Sequence, residues 1–89
     1  MSKEAIKINL LIGYDISDDK IRAKVFKELK YFGLINIQYS VFYGEDISKN
    51  IFNLIKIMFT KLEIENYFIA KVESKNIEGI PLLEEVVIM

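Results

Sequence analysis

Residues 7–20, KINLLIGYDISDDK, join an apolar run to a cluster of acidic residues, and this junction decides how the chain folds. The apolar positions alternate with other residues, which is the two-residue period of a β-strand with one buried face. That face carries Ile6, Ile8, Leu10, Ile12 and Tyr14. Asp15 follows on the opposite face beside Gly13, so it either starts the turn before a helix or stands at the strand tip for chemistry.

A helix is predicted directly after the acidic cluster. Either Ser17 or Asp18 is a suitable N-cap, because both side chains accept hydrogen bonds from the first free amides of a helix. Gly33 is the kind of residue that follows a helix C-terminus. Between them the apolar residues recur at helical spacing, at Ile21, Val25, Leu29 and Phe32.

The remaining segments predict strands around a second helix. Residues 34–43, LINIQYSVFY, are rich in strand formers and are closed by Gly44-Glu45-Asp46. Ser48 caps a helix whose apolar face comprises Ile51, Leu54, Ile55, Met58, Phe59 and Leu62. After it come a predicted strand at 66–73, a loop up to Pro81, and a short apolar strand at 82–89.

This order of elements is typical of an α+β sandwich in which two helices cover one face of an antiparallel sheet, the ferredoxin-like βαββαβ plan. We expect one domain over residues 1–89, with the strand at 82–89 as an addition. The plan needs a hairpin between the helices, yet residues 34–43 contain no Asn-Gly or Asp-Gly turn. A bend near Gln38–Ser40 would supply the hairpin.

The composition favours a homodimer. The chain has 89 residues and is 52% hydrophobic, which is high for so short a chain. A core of this size removes only about 60–65% of the unfolded surface from water, so its stability alone is marginal. An apolar terminal strand also promotes aggregation unless it is paired. Pairing of residues 82–89 with the sheet of a partner protomer would resolve both problems.

The residue types present restrict location and chemistry. No uncharged apolar run reaches the ~18 residues of a membrane span, and the opening MSKEAIKIN alternates like a strand, unlike a signal peptide. We therefore expect a cytoplasmic protein. The chain has no cysteine and no histidine, which excludes disulfides, thiol nucleophiles and the commonest general base. A metal must be held by oxygen, and catalysis must rest on carboxylates, hydroxyls, lysines or Arg22.

The first predicted helix is locally basic, although the net charge is −1. Its cations line either a path for phosphates or an ordinary solvated helix face. The cations in question are Lys20, Arg22, Lys24 and Lys27, and Lys30 adds to the positive charge of the helix. The aromatic residues that could stack on bases are Tyr14, Tyr39, Phe42 and Tyr43. We expect Phe42 in the core and Tyr43 to be the most exposed of the four.

Two motifs together carry a family resemblance: YDISDDK at residues 14–20 and QYSVFYG at residues 38–44. With the helical residues between them and Gly33, the stretch 5–62 resembles the small CRISPR-associated adaptation proteins of the Cas2 family. The resemblance implies a ferredoxin-like homodimer in which the last strand of each protomer pairs with the partner. It also implies a protein that binds DNA or RNA and bridges the CRISPR integrase during spacer acquisition. Family members are further described as metal-dependent nucleases acting on RNA or on double-stranded DNA.

The resemblance assigns roles to individual residues. The family's strand-end aspartate falls on Asp15, the tyrosine before it on Tyr14, its helix arginine on Arg22 and its strand phenylalanine on Phe42. Ile21 stands where many members have a second arginine, which weakens the grip on an anion. At the position of Tyr43 many members have a glutamate, so a carboxylate that could assist a metal is missing.

Two copies of Asp15 that meet across a two-fold axis would repel each other, unless one takes up a proton or a cation lies between them. Mg²⁺ suits such a site, with Mn²⁺ as the alternative. We therefore expect Asp15 to be catalytic and metal-binding. The residues expected to bind nucleic acid are Tyr14, Lys20, Arg22, Lys24, Lys27 and Tyr43. Two other functions stay open: a stand-alone ribonuclease toxin similar to virulence-associated protein D, and an interaction dimer with no active centre.

Overall fold

The structure is a computed structural model that describes residues 7–73 and 77–79. Within these ranges the elements are β1 (Lys7–Tyr14), α1 (Asp19–Tyr31), β2 (Ile35–Gln38), β3 (Val41–Ser48), α2 (Lys49–Lys61) and β4 (Tyr67–Val72). The strands form an antiparallel sheet in the order β2-β3-β1-β4. This confirms the α+β, βαββαβ plan. The predicted strand at 82–89 lies outside the described residues.

The ends of α1 are built as the sequence predicts. Asp18 is the N-cap, and its carboxylate accepts a hydrogen bond of 2.9 Å from the Ile21 amide. At the other end Gly33 has a φ of +97°, a left-handed conformation that costs glycine little. The Leu34 amide then donates to the Leu29 carbonyl at 3.0 Å, which is the closing bond of a Schellman motif.

The core lies between the sheet and the two helices. Its buried members are Leu10, Ile12, Tyr14, Val25, Leu29, Leu34, Phe42, Ile47, Ile55, Met58 and Phe59. The Phe59 ring stacks on Tyr67 of β4, with ring centroids 4.2 Å apart. Leu54 of the predicted apolar face is 46% exposed, so the apolar stripe of α2 is wider than the surface it buries. Among the described residues, neither helix is long and apolar enough to cross a membrane.

β3 is longer than the sequence predicts. The turn-forming residues 44–46 predict its end, but the strand continues to Ser48. Asp46 adopts a φ of 57°, and its amide donates to the Asn9 side-chain oxygen at 2.9 Å. The register with β1 shifts at this point, so a β-bulge absorbs the turn-like residues without ending the strand.

The hairpin between the helices turns at Tyr39 and Ser40, where the sequence predicts a bend. Ser40 takes the left-handed conformation with a φ of 61°. Asn36 holds the turn, since its side-chain amide donates to the Gln38 carbonyl at 2.7 Å and to the Val41 carbonyl at 3.0 Å. A side chain three residues upstream thus replaces the Asn-Gly pair that sequence rules look for.

Candidate functional site

Asp15 stands at the end of β1 with its backbone fixed. Its amide donates to the Asn66 carbonyl at 2.9 Å, which extends the pairing of β1 with β4 by one bond. The residue is exposed, and it borders a shallow pocket of about 290 Å³ formed with the α2–β4 loop, including Glu63 and Glu65. The sheet therefore holds Asp15 in place while its side chain reaches solvent, as the strand-tip hypothesis requires.

An aromatic ring covers the sheet surface beside Asp15. The Phe68 ring of β4 lies across Gly13, and a Cβ added there would overlap it. Phe68 is itself 49% exposed. Gly13 therefore admits an aromatic ring to the outer face of the sheet next to Asp15, and this ring was not predicted.

The carboxylates near Asp15 decide how a divalent metal could be held there. Within residues 7–73 and 77–79, no group of three or more acidic side chains is placed to hold a metal ion. Mg²⁺ in phosphate-handling sites uses one or two protein carboxylates, with substrate phosphates and water as the other ligands. Asp15 could supply one such carboxylate, with the remaining ligands coming from water, substrate or a partner chain.

Arg22 braces the turn that carries Asp15. Its guanidinium donates to the Ile16 carbonyl at 2.8 Å and forms an ion pair with Asp19. The hydrogen bond to Asp19 is the main reason that the pKa of Arg22 is raised above its ordinary value. The Arg22 side chain is 30% exposed, so it joins α1 to the turn and also presents charge at the surface.

The predicted lysines form one stripe on α1. Lys20, Lys24 and Lys27 are exposed and recur at a spacing of four and three residues, which places them on one helix face. Lys24 has a partner in Glu28, with 4.0 Å between the amine and the carboxylate. The structure thus groups these cations as the sequence predicts.

The tyrosines are distributed differently from the prediction. Tyr14 is buried and stacks on Phe42 with centroids 6.2 Å apart, and this burial is the main cause of a raised pKa for its hydroxyl. The expectation that Tyr43 is exposed is wrong, since it is 1% exposed in a central part of β3. Tyr39, at the hairpin turn, is 84% exposed. A base can therefore reach Tyr39 but not Tyr43 in this chain.

A groove of about 580 Å³ separates α1 from the β2–β3 hairpin. Six of the residues that line it are aromatic or cationic: Tyr14, Arg22, Phe26, Lys27, Lys30 and Tyr39. Three of these, Tyr14, Arg22 and Lys27, were predicted to bind nucleic acid. The structure thus brings them together with Phe26, Lys30 and Tyr39.

The sequence pattern of the CRISPR associated protein Cas2 family matches residues 8–76, which is most of the chain. The chain belongs to this family. The Cas2 match spans every strand and helix described except the first residue of β1, and it confirms the resemblance carried by the two motifs.

Several curated Cas2 proteins are similar to this chain. A CRISPR-associated endoribonuclease Cas2 of Desulforudis audaxviator is 54% identical over 35 residues, covering 39% of this chain and 33% of the relative. One of Methanospirillum hungatei is 42% identical over 60 residues, covering 64% and 63%. A third, of Korarchaeum cryptofilum, is 43% identical over 51 residues, covering 57% and 55%. The chain thus spans less than two thirds of the length of each of these relatives.

Sequence reasoning missed part of the groove of this Cas2 protein. Arg22, Phe26 and Lys30 are each four residues apart, so the sequence shows that they share one face of the helix. Tyr39 was among the aromatic residues expected to be able to stack on bases, but its high exposure at the hairpin turn was not predicted. Instead the strand pattern drew attention to Tyr43, whose burial depends on packing that the sequence does not show.

Proposed function

We propose that this Cas2 protein acts in CRISPR adaptation as a homodimer that binds duplex DNA and bridges the integrase, and that its paired Asp15 side chains form a Mg²⁺-dependent phosphodiesterase centre. The observation that carries the proposal is the placement of Asp15. A backbone hydrogen bond to Asn66 fixes it at the tip of β1, and the residue is exposed to solvent. Membership in the family and the names of the relatives support the CRISPR context and nuclease activity.

The outer face of the sheet supports the dimer. Register places Leu11, Val41, Ile35 and Phe68 on this face, away from the helices, together with Tyr43, which is already buried. Ile35 is 44% exposed and Phe68 49%, so burial of this surface against a second copy would stabilise the pair. Strand alternation directs Asp15 toward the same face, which would bring the two carboxylates toward a shared axis.

The chemistry follows from two carboxylates in one desolvated site. Their repulsion favours a bound cation, and when bound, Mg²⁺ supplies a Lewis acid that polarises a phosphodiester. Asp15 would hold the cation, and the lysine stripe on α1 would hold neighbouring phosphates. Arg22 would keep the Asp15 turn in position through its bond to the Ile16 carbonyl.

RNA is the first substrate to test, because the similar proteins are named endoribonucleases. A non-catalytic bridging dimer is the second candidate function. It needs the dimer and the exposed lysines of α1, and it needs no metal at Asp15. The two candidates share the dimer and the nucleic-acid surface and differ only at Asp15.

Replacement of Asp15 by asparagine separates the two candidates. We expect the wild type to cleave single-stranded RNA or duplex DNA in the presence of Mg²⁺, and we expect EDTA to abolish this cleavage. Asp15→Asn should lower the cleavage rate at least about a hundredfold, which is typical for loss of a catalytic group. The matched control is Asp46→Asn, an equal change at an exposed acid in the β3 bulge. Cleavage that persists in a folded, dimeric Asp15→Asn protein would remove the proposed centre and leave the bridging dimer.

A further inference from the structure

The groove between α1 and the β2–β3 hairpin is separate from the pocket that Asp15 borders. The described residues that line the groove do not overlap with those that line the pocket. Its volume of about 580 Å³ falls within the ~300–1,000 Å³ of typical small-ligand sites. The proposed function uses Arg22 and Lys27 from the lining of this groove and gives no role to its aromatic side chains.

Aromatic side chains stand on both sides of the groove. Tyr39 belongs to the hairpin turn and is 84% exposed, while Phe26 belongs to α1 and is 38% exposed. The Phe26 ring packs edge to face on the buried Phe42 ring, with centroids 5.3 Å apart. One wall is therefore anchored in the core, and the other is an accessible ring on a turn that Asn36 holds in place.

Charge on the helix side of the groove is positive. Arg22, Lys27 and Lys30 line it, and the acidic residue among the described lining residues, Asp19, is already paired with Arg22. Lys30 lies over the Phe26 ring with its amine 5.3 Å from the centroid, so cation and aromatic surface are adjacent. Aromatic faces next to lysines match a ligand that has both a flat base and a phosphate.

We propose that this groove binds one unpaired nucleotide of a nucleic-acid strand, with the base stacked on Tyr39 and the phosphate held by Lys27 and Lys30. The nucleotide must be unpaired because the faces of a base within a duplex are covered by its neighbours in the stack. This inference rests on the proposed binding of nucleic acid and adds a preference for ends or junctions with a single-stranded segment. It concerns recognition and is independent of hydrolysis at Asp15.

The test compares a blunt DNA duplex with the same duplex bearing a short single-stranded overhang, by fluorescence anisotropy in EDTA at fixed salt. Stacking of one base corresponds to a gain in affinity of about five- to a hundredfold, which we expect for the overhang. Tyr39→Ala should remove that gain and leave binding of the blunt duplex within about twofold, because the paired bases are already stacked on one another. Tyr39→Phe should retain the gain, since it keeps the ring.

Tyr31 supplies the matched control. It is 83% exposed, compared with 84% for Tyr39, and it is not among the residues that line the groove. Tyr31→Ala should therefore keep the overhang preference. Equal affinity of the wild type for both duplexes, or an overhang preference that survives Tyr39→Ala, overturns the groove proposal alone. Failure of the wild type to bind either duplex overturns both this inference and the proposed DNA-binding function.

Discussion

The two helices have the same length and lie on the same side of the sheet, yet they differ in what they bury. α2 buries Ile55, Met58 and Phe59, whereas the fully buried residues of α1 are Val25 and Leu29. The outer surface of α1 carries the lysine stripe and one side of the groove. α2 therefore contributes more to the core, and α1 keeps more of its surface for binding.

The largest expected contrast is in stability. Phe59→Ala in α2 should lower the free energy of unfolding by about 3–5 kcal/mol, because it removes a fully buried ring that stacks on Tyr67. Phe26→Ala in α1 should lower the free energy of unfolding clearly less, since Phe26 is already 38% exposed. Urea unfolding monitored by circular dichroism measures both values. Equal losses would contradict the division of roles between the helices.

The next contrast is in nucleic-acid binding. The double change Lys20→Gln and Lys27→Gln on α1 should reduce the slope of log affinity for duplex DNA against log salt by about 1.8, or ~0.9 for each phosphate that is no longer neutralised. Lys49→Gln with Lys61→Gln removes the same charge from exposed positions on α2. This control should leave the slope unchanged. If both pairs reduce it equally, the binding surface is not confined to α1.

The smallest expected effect is a change in stability at the helix C-termini. Each helix is followed by a residue in the left-handed conformation. After α1 the left-handed residue is Gly33, and after α2 it is Glu63 with a φ of 56°. A left-handed side-chain residue costs roughly 1–2 kcal/mol, so Gly33→Ala should destabilise by about that amount, even though a Cβ there meets no atom within 4 Å. Glu63→Gly should stabilise by up to about 1 kcal/mol, since flexibility of the unfolded chain offsets part of the gain. If thermal unfolding shows that the midpoint temperature shifts in the same direction for both variants, this explanation is excluded.

The periodic parts of the fold could be predicted from the sequence. The cap at Asp18 and the stop at Gly33 are local signals that local hydrogen bonds carry out, and the alternation before Tyr14 marks the buried face of β1. The hairpin and the bulge were harder to predict. The Asn36 side chain holds the hairpin, which has no recognisable turn motif. The Asn9 side chain accepts the hydrogen bond that holds the bulge, from a residue distant in sequence.

The positions of the charged residues in the candidate site could be predicted from the sequence, whereas the accessibility of its aromatic rings could not. Exposed lysines follow from helical spacing, and a strand-end aspartate follows from the length of β1. Accessibility of a ring depends on which elements pack on it, so Tyr43 and Tyr39 were ranked in the wrong order. Phe68 over Gly13 was missed for the same reason, because it comes from the pairing of β1 with β4.

The central claim is that two copies of Asp15 meet across a two-fold axis. The chain contains no cysteine, so Asp15→Cys introduces a single thiol, and a short bifunctional maleimide then reports whether two such thiols are close. We predict covalent dimers with Cys at position 15 and none with the control Asp46→Cys at the β3 bulge. A protein that is dimeric by light scattering but does not cross-link through position 15, or one that is monomeric, would contradict the account.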